Sequence, residues 1–143
     1  MDLGGIGVAA AFALSALGSA LGTGTAGMAA IGAWKKCFVQ NKAAPFILLA
    51  FVGAPLSQTF YGYILMSTMI TSTANAFAKL GVGVFGGIAI GFSAWFQGKA
   101  GASASDAIGE TGKGFANYIA VVGVIESVAL FAMVLLLISV NNI

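Results

Sequence analysis

Residues 115–140 read FANYIAVVGVIESVALFAMVLLLISV. The stretch contains a single charged residue, Glu126, and is otherwise dominated by Val, Leu, Ile, Phe and Ala. A helix of about 20 apolar residues, rising about 1.5 Å per residue, crosses the hydrocarbon core of a bilayer. The stretch therefore predicts a membrane-spanning helix that carries one acidic side chain near the middle of the bilayer.

The composition of the whole chain agrees with a membrane protein and excludes a soluble domain. Of its 143 residues, 59% are hydrophobic and 7% are charged, whereas soluble domains have about 25% of their residues charged. The chain has no His and one Cys, Cys37, so the usual ligand sets for zinc, haem and iron–sulfur sites and the His-assisted nucleophiles are missing. A net charge of +2 gives no support for nucleic-acid binding. We therefore expect a non-catalytic membrane protein.

Charged residues separate four long apolar segments. We predict an all-α membrane protein with four spans, at residues 4–32, 45–72, 78–104 and 114–140. The first and third connections, residues 33–44 and 105–113, contain or adjoin five of the six Lys. By the positive-inside rule both connections are cytoplasmic, and both ends of the chain lie on the outer side of the cell membrane.

The chain reads as two tandem helical hairpins, residues 1–75 and 76–143. Residues 19–27 (SALGTGTAG) align with residues 93–101 (SAWFQGKAG) at an offset of 74, with five identities. In each copy a helix rich in Gly and Ala is followed by a cytoplasmic connection and a helix of larger apolar residues. The repeat predicts two copies of one supersecondary unit.

Glycines recur at intervals of four residues in the first and third spans. Gly18 and Gly22 lie on one helix face, and Gly83, Gly87 and Gly91 lie on another. This spacing allows two membrane helices to approach closely. Two interpretations remain open: the faces pack together within one chain, or they form the inner wall of a ring of several chains.

Glu126 is the candidate functional residue. An ionised side chain at the bilayer centre costs about 2.5–3.5 kcal/mol on insertion scales, and such residues usually mark an ion or proton pathway. The carboxyl group must be protonated or neutralised by a cation. The alternative is a neutral Glu that is hydrogen-bonded inside a helix bundle. Aligning the second and fourth spans at an offset of 68 places Gln58 opposite Glu126, so we expect one ion per chain.

Two amide side chains are expected at the depth of this carboxyl group. If the outer ends of the second, third and fourth helices lie near residues 72, 82 and 140, Gln58, Gln97 and Glu126 lie 14, 15 and 14 residues in. They would therefore share one level in the membrane. Hydrogen bonding between helices is the alternative role for the two amides.

One face of the second span adds further oxygen atoms. Ala54, Ser57, Gln58 and Tyr61 follow the i, i+3, i+4, i+7 spacing of a single helix face. Pro55 removes one backbone N–H group, which leaves carbonyl oxygen available nearby. Carboxylate, amide, hydroxyl and carbonyl oxygens suit a hard cation such as Na⁺, whereas a proton needs only the carboxyl group and one neighbour.

The double hairpin with a mid-membrane Glu in its fourth helix resembles the proteolipid rotor-ring subunit of V-type ATPases, called K or c. Residues 55–62 (PLSQTFYG) are similar to the Pro-Gly-Thr-Gln-Gly-Leu-Tyr-Gly type motif of the bacterial Na⁺-transporting branch, and residues 97–99 (QGK) match its third helix. The resemblance covers essentially the whole chain. It implies an oligomeric ring in a bacterial plasma membrane.

The resemblance also implies roles for individual residues. The ion-binding set would be Glu126 as carboxylate, Gln58 and Gln97 as side-chain ligands, Ser57 as a hydroxyl ligand and Ala54 as a backbone carbonyl ligand. Two positions depart from the family pattern. Leu56 replaces the usual Gly, and Val128 stands where members of that family often have a Tyr that closes over the Glu.

The mechanism implied by the resemblance is rotary transport of Na⁺, or alternatively of H⁺. Each Glu126 would exchange its ion at a stator subunit of the a or I type, whose arginine favours the emptied carboxylate. A central-stalk subunit would dock on the cytoplasmic connections. The chain contains no P-loop motif, so ATP hydrolysis would belong to partner subunits.

Two other classes of protein share some of these features. Small multidrug antiporters also have four short helices and one membrane Glu, but they lack a tandem repeat and carry the Glu in the first helix. A purely structural or pore-forming proteolipid would leave Glu126 without a role. Ring oligomers would favour the rotor, and dimers that bind cationic drugs would favour the antiporter.

Overall fold

Four long helices make up nearly all of the computed structural model, which describes residues 2–142. We name them α1 (Leu3–Val39), α2 (Phe46–Thr71), α3 (Ala76–Thr111) and α4 (Phe115–Asn142). All four are long and apolar enough to cross a membrane, and residues 2–142 contain no strand. The predicted fold class, an all-α membrane protein with four spans, is confirmed. Met1 and Ile143, the outermost residues of the two predicted hairpins, lie outside the described residues.

Local signals explain where α1 and α3 begin and where α3 ends. The side chain of Asp2 accepts a hydrogen bond from the backbone N–H of Gly5 (2.9 Å), and Asn75 does the same for Ala78 (3.0 Å). These are N-caps for α1 and α3. Helix α3 ends at Gly112, which adopts a left-handed conformation with φ +66° and donates its N–H to the carbonyl oxygen of Ile108. Gly tolerates this conformation because it has no Cβ.

Helices α1 and α3 extend beyond the predicted spans, so the connections that follow them are shorter than predicted. Helix α1 includes residues 33–39, and α3 includes residues 105–111. At 37 and 36 residues, each helix is about 55 Å long, which exceeds the roughly 30 Å of hydrocarbon. The charged residues therefore mark the edge of the hydrocarbon and not the end of the helix.

An ion-pair cluster joins these two extensions. The ammonium group of Lys36 lies 3.2 Å from Asp106 and 2.8 Å from Glu110. All three side chains are exposed, so the pairs contribute little to stability. They do fix which faces of the two helix ends meet. The connections that remain are residues 40–45 and 112–114.

Helices α1 and α3 pack with their backbones in direct contact. A methyl group on Gly18 would collide with the backbone of Gly91, and one on Gly98 would collide with that of Gly22. Gly83 meets Gly7 in the same way. Of the two interpretations of the glycine faces, the described structure therefore has them packing against each other within one chain.

Helix α2 is not a uniform α-helix, unlike the single span predicted for residues 45–72. It consists of a 3₁₀ turn (Phe46–Leu48), an α-helical turn (Leu49–Gly53), a second 3₁₀ turn (Ala54–Leu56) and an α-helix (Ser57–Thr71). The second 3₁₀ turn contains Pro55, which is buried beside Gly22 of α1. Because proline lacks an N–H group, it interrupts the i to i−4 ladder at this point.

The glycine contacts lead to a stability prediction. We expect Gly18→Ala to lower the thermal unfolding midpoint in detergent, since the added methyl forces the two backbones apart at a cost of about 1–3 kcal/mol. Gly24→Ala is the control, because no described atom outside its own helix backbone lies within 4 Å of the place its new methyl group would take. Alanine is also the better helix former by about 0.5–1 kcal/mol. Circular dichroism during heating measures the unfolding midpoints of both variants. An equal rise in the two midpoints would contradict the close packing of α1 against α3.

Candidate ion-binding site

Helices α2, α3 and α4 bring Gln58, Gln97 and Glu126 together near the middle of the bundle. The two amide side chains are fully buried, whereas Glu126 is half-buried. Gln58 lies 12 residues after the start of α2, and Glu126 lies 11 residues after the start of α4. The two positions are therefore at a similar distance from the N-terminal ends of their helices, about 16–18 Å.

Gln97 is the centre of the hydrogen-bond network. Its Nε2 donates to the carbonyl oxygen of Val122 (3.1 Å) and to Oε2 of Glu126 (3.2 Å). Its Oε1 accepts a hydrogen bond from Nε2 of Gln58 (2.7 Å). A backbone carbonyl can only accept, so the contact with Val122 determines which way round the Gln97 amide lies.

The network continues to the carbonyl group beside the proline. The hydroxyl oxygen of Ser57 lies 3.0 Å from the carbonyl oxygen of Ala54 and 3.0 Å from Oε1 of Gln58. Its single proton can be donated to only one of them at a time. The five residues assigned to the site from the sequence thus lie in one continuous chain of contacts.

Tyr61 is a sixth member, to which sequence reasoning assigned no role. Its hydroxyl donates to Oε1 of Glu126 at 2.6 Å. The signal was present in the sequence, since Tyr61 shares a helix face with Ser57 and Gln58. Val128 is 57% exposed, and the tyrosine that contacts Glu126 comes from α2.

The donors around the carboxyl group favour its ionised form. Tyr61 and Gln97 each present a hydrogen to one oxygen of Glu126. Hydrogen bonds to a charged group are stronger than neutral ones, typically about 1.5–3 kcal/mol each. The arrangement therefore offsets part of the cost of holding a negative charge at this depth.

The same residues contain the oxygen atoms that a hard cation requires. Among residues 2–142 no three His, Cys, Asp or Glu side chains cluster as a metal site. A cation here would instead meet one carboxylate and neutral oxygens, which suits Na⁺ better than a transition metal. The amide oxygen of Gln97 accepts a hydrogen bond from Gln58, and that of Gln58 lies within hydrogen-bonding distance of the Ser57 hydroxyl. Binding through them would exchange these hydrogen bonds for ion contacts.

Lys99 does not neutralise Glu126, although it is only two residues from Gln97. It points away from the network, with its ammonium group 4.3 Å from the centroid of the Trp95 ring and 5.1 Å from that of Phe96. Cation–π contacts of this kind stabilise a cation on the opposite face of α3. The charge of Glu126 must therefore be balanced by another group.

The second hairpin is similar to a known protein family. Residues 80–139, most of the second hairpin, match the family model of the ATP synthase C-subunit. None of the curated proteins matches the chain significantly. The matched segment contains Gln97 and Glu126. The match covers 60 of the 143 residues and shows a likeness of the second hairpin to this family.

The contact of Tyr61 with Glu126 can be tested by carboxyl labelling. Carbodiimides react with the protonated carboxyl group, so removing a donor to the ionised form should accelerate labelling. We expect Tyr61→Phe to increase the labelling rate of Glu126 at neutral pH about tenfold, corresponding to one charged hydrogen bond. Tyr63→Phe is the matched control, because Tyr63 is exposed on the same helix. Equal rates for the two variants would refute the contact.

Proposed function

We propose, from the match of the second hairpin to the ATP synthase C-subunit family, that the chain is the ion-carrying rotor subunit of a V-type ATPase and that Glu126 carries Na⁺. The observation that supports this most is the network around Glu126. A single carboxylate in a membrane span accepts hydrogen bonds from a hydroxyl and an amide of neighbouring helices. Through that amide it is connected to a second amide, and from there to a second hydroxyl and a backbone carbonyl.

The position of Glu126 supports loading from the side of the bundle. The carboxyl group is half-buried, whereas the amides behind it are fully buried. On the same helix Val124 is 71% exposed and Phe131 is 67% exposed. Glu126 therefore lies at the edge of an apolar outer surface, where the stator could reach it without opening the bundle.

Rotation requires the charge of Glu126 to change between two environments. Facing lipid, the carboxylate must be neutralised by Na⁺ or a proton, because an exposed charge in hydrocarbon is costly. Facing a stator arginine of an a or I subunit, the ionised and empty carboxylate is favoured by the opposite charge. Alternation between the two would take up the ion from one side of the membrane and release it to the other.

The choice of Na⁺ over H⁺ follows from the number of oxygen atoms. A proton would need only Glu126 and one neighbour. It would not need the further oxygen atoms of Ala54, Ser57, Gln58 and Gln97. A hard cation would use them as ligands. We therefore assign Na⁺ as the transported ion and H⁺ as the alternative.

Each chain should carry one ion, which is the basis for assigning the V type. Gln58 occupies the position in the first hairpin that Glu126 occupies in the second. It donates a hydrogen bond to Gln97 and does not form a second carboxylate site. A ring built from such double hairpins would carry half as many ions per hairpin as a ring built from single hairpins. Fewer ions per turn, at a fixed number of ATP per turn, allow transport against a larger ion gradient, which favours pumping over ATP synthesis.

The projecting ends of α1 and α3 are the surface proposed for the central stalk. Lys36, Asp106 and Glu110 form an exposed charged cluster there, beyond the apolar part of the helices. By the positive-inside rule this end is cytoplasmic. The membrane would be a bacterial plasma membrane, with ATP hydrolysed in the partner subunits.

The role of Glu126 is tested by replacing it with its amide in the complete enzyme. We expect Glu126→Gln to reduce ATP-driven ion uptake into vesicles to background, because the amide cannot alternate between charged and neutral forms. Ser127→Ala is the control, since this neighbouring hydroxyl donates its hydrogen bond to Val124 of its own helix. Retained uptake in Glu126→Gln would overturn the proposed function.

The identity of the ion is tested by protection against carbodiimide. At neutral pH and constant ionic strength, millimolar Na⁺ should slow the labelling of Glu126, because a bound cation excludes the proton that the reaction needs. Choline chloride at the same concentration is the control. Labelling that changes with pH and is indifferent to Na⁺ would assign H⁺ instead.

A further inference from the structure

Two equivalent serines of the repeat have different surroundings. Ser19 on α1 and Ser93 on α3 occupy the same position in the aligned hairpins, at the offset of 74. Both are buried, with exposures of 2% and 6%. Ser93 donates a hydrogen bond to the carbonyl oxygen of Ile125 (2.8 Å). The hydroxyl of Ser19 has no partner among the described residues.

The partner of Ser93 is the backbone immediately before the carboxylate. Ile125 precedes Glu126, and Val122, the carbonyl partner of Gln97, lies one helical turn earlier. Ser93 and Gln97 are themselves spaced i, i+4 and so lie on one face of α3. Two side chains of α3 therefore hold two consecutive turns of the α4 backbone.

These two contacts restrict the rotation of α4 about its own axis. A helix with its side chains has a radius of about 5–6 Å, so a rotation of about 30° moves a side-chain tip by about 3 Å. Such a movement would break the hydrogen bonds of Glu126 to Tyr61 and Gln97, which are 2.6 and 3.2 Å long. Within one chain, apolar packing gives α4 little rotational restraint, since most of its side chains are exposed or half-buried there.

We propose that Ser93 is a positioning residue for ion binding, which holds α4 in the rotation that turns Glu126 towards Gln97 and Tyr61. This inference rests on the proposed role of Glu126 as the ion carrier. Ser93 itself does not contact the carboxylate. Its effect passes through the α4 backbone at Ile125.

The first hairpin provides an internal comparison. There the carboxylate is replaced by Gln58, and the equivalent serine, Ser19, forms no hydrogen bond to a neighbouring helix within residues 2–142. The same residue type is thus present at the same place in both copies, and it holds the neighbouring backbone only in the copy that has the carboxylate.

The test compares Ser93→Ala with Ser19→Ala in the assembled enzyme. The readout is the Na⁺ concentration that halves carbodiimide labelling of Glu126, together with the pH profile of labelling. Loss of one neutral hydrogen bond should raise this concentration about three- to tenfold in Ser93→Ala. Ser19→Ala should match the wild type. Ser93→Thr, which keeps the hydroxyl, should restore protection.

Each result decides the inference. Equal shifts in Ser93→Ala and Ser19→Ala, or no shift in either, would overturn it while leaving the role of Glu126 intact. If labelling of wild-type Glu126 depends on pH but not on Na⁺, Ser93→Ala and Ser19→Ala are compared by the pH profiles of their labelling. If the wild type responds to neither, the proposed function and this inference both fail. Should Ser93→Ala not assemble, Ser93→Cys, which has a similar volume and a weaker donor, is measured in its place.

Discussion

The rest of the structure depends on one constraint: a carboxylate placed at the centre of a membrane must have its charge balanced where water is absent. On insertion scales an acidic group there costs about 2.5–3.5 kcal/mol. The nearby cation Lys99 does not balance it, since Lys99 lies over aromatic rings on the other face of α3. Neutral donors offset part of the cost of the charge, with Tyr61 and Gln97 each contacting one carboxylate oxygen, and its neutralisation requires a cation or a proton.

The glycine packing of α1 and α3 and the carboxylate network are parts of one arrangement. The backbone of α3 lies directly against α1 at Gly91 and Gly98, on either side of Gln97. A helix packed this closely has little freedom to shift or rotate. Gln97 can thus reach α2 and α4 at the same time, and Ser93 can hold the α4 backbone one turn away. The small residues determine the position of the amide, and the amide orients the acid.

The 3₁₀ turn around Pro55 in α2 shows how a local irregularity contributes to the same site. Pro55 interrupts the helical ladder, and the 3₁₀ turn around it places the Ala54 carbonyl against the Ser57 hydroxyl. From there Ser57, Gln58 and Tyr61 lie along one face of the regular helix that follows. This could be predicted from the sequence, because proline and the spacing of polar residues act within one helix. The full length of α1 and α3 could not be predicted in this way. Hydropathy indicates where a chain leaves the hydrocarbon, and a helix can continue beyond that point through charged residues.

The amino-acid sequence by itself determined the four spans, the repeat, the membrane carboxylate and the depth that Gln58 and Gln97 share with it. It also placed Ala54, Ser57 and Tyr61 on the helix face of Gln58. These properties follow from hydropathy and from the 3.6-residue period, both of which are contained in single segments. Only the tertiary structure decided that the glycine faces pack within one chain, that Tyr61 reaches Glu126 and that Ser93, unlike Ser19, is bonded to another described residue. Such contacts depend on the rotation and vertical register of one helix relative to another, to within about the length of a hydrogen bond. No pattern within a single helix specifies these quantities.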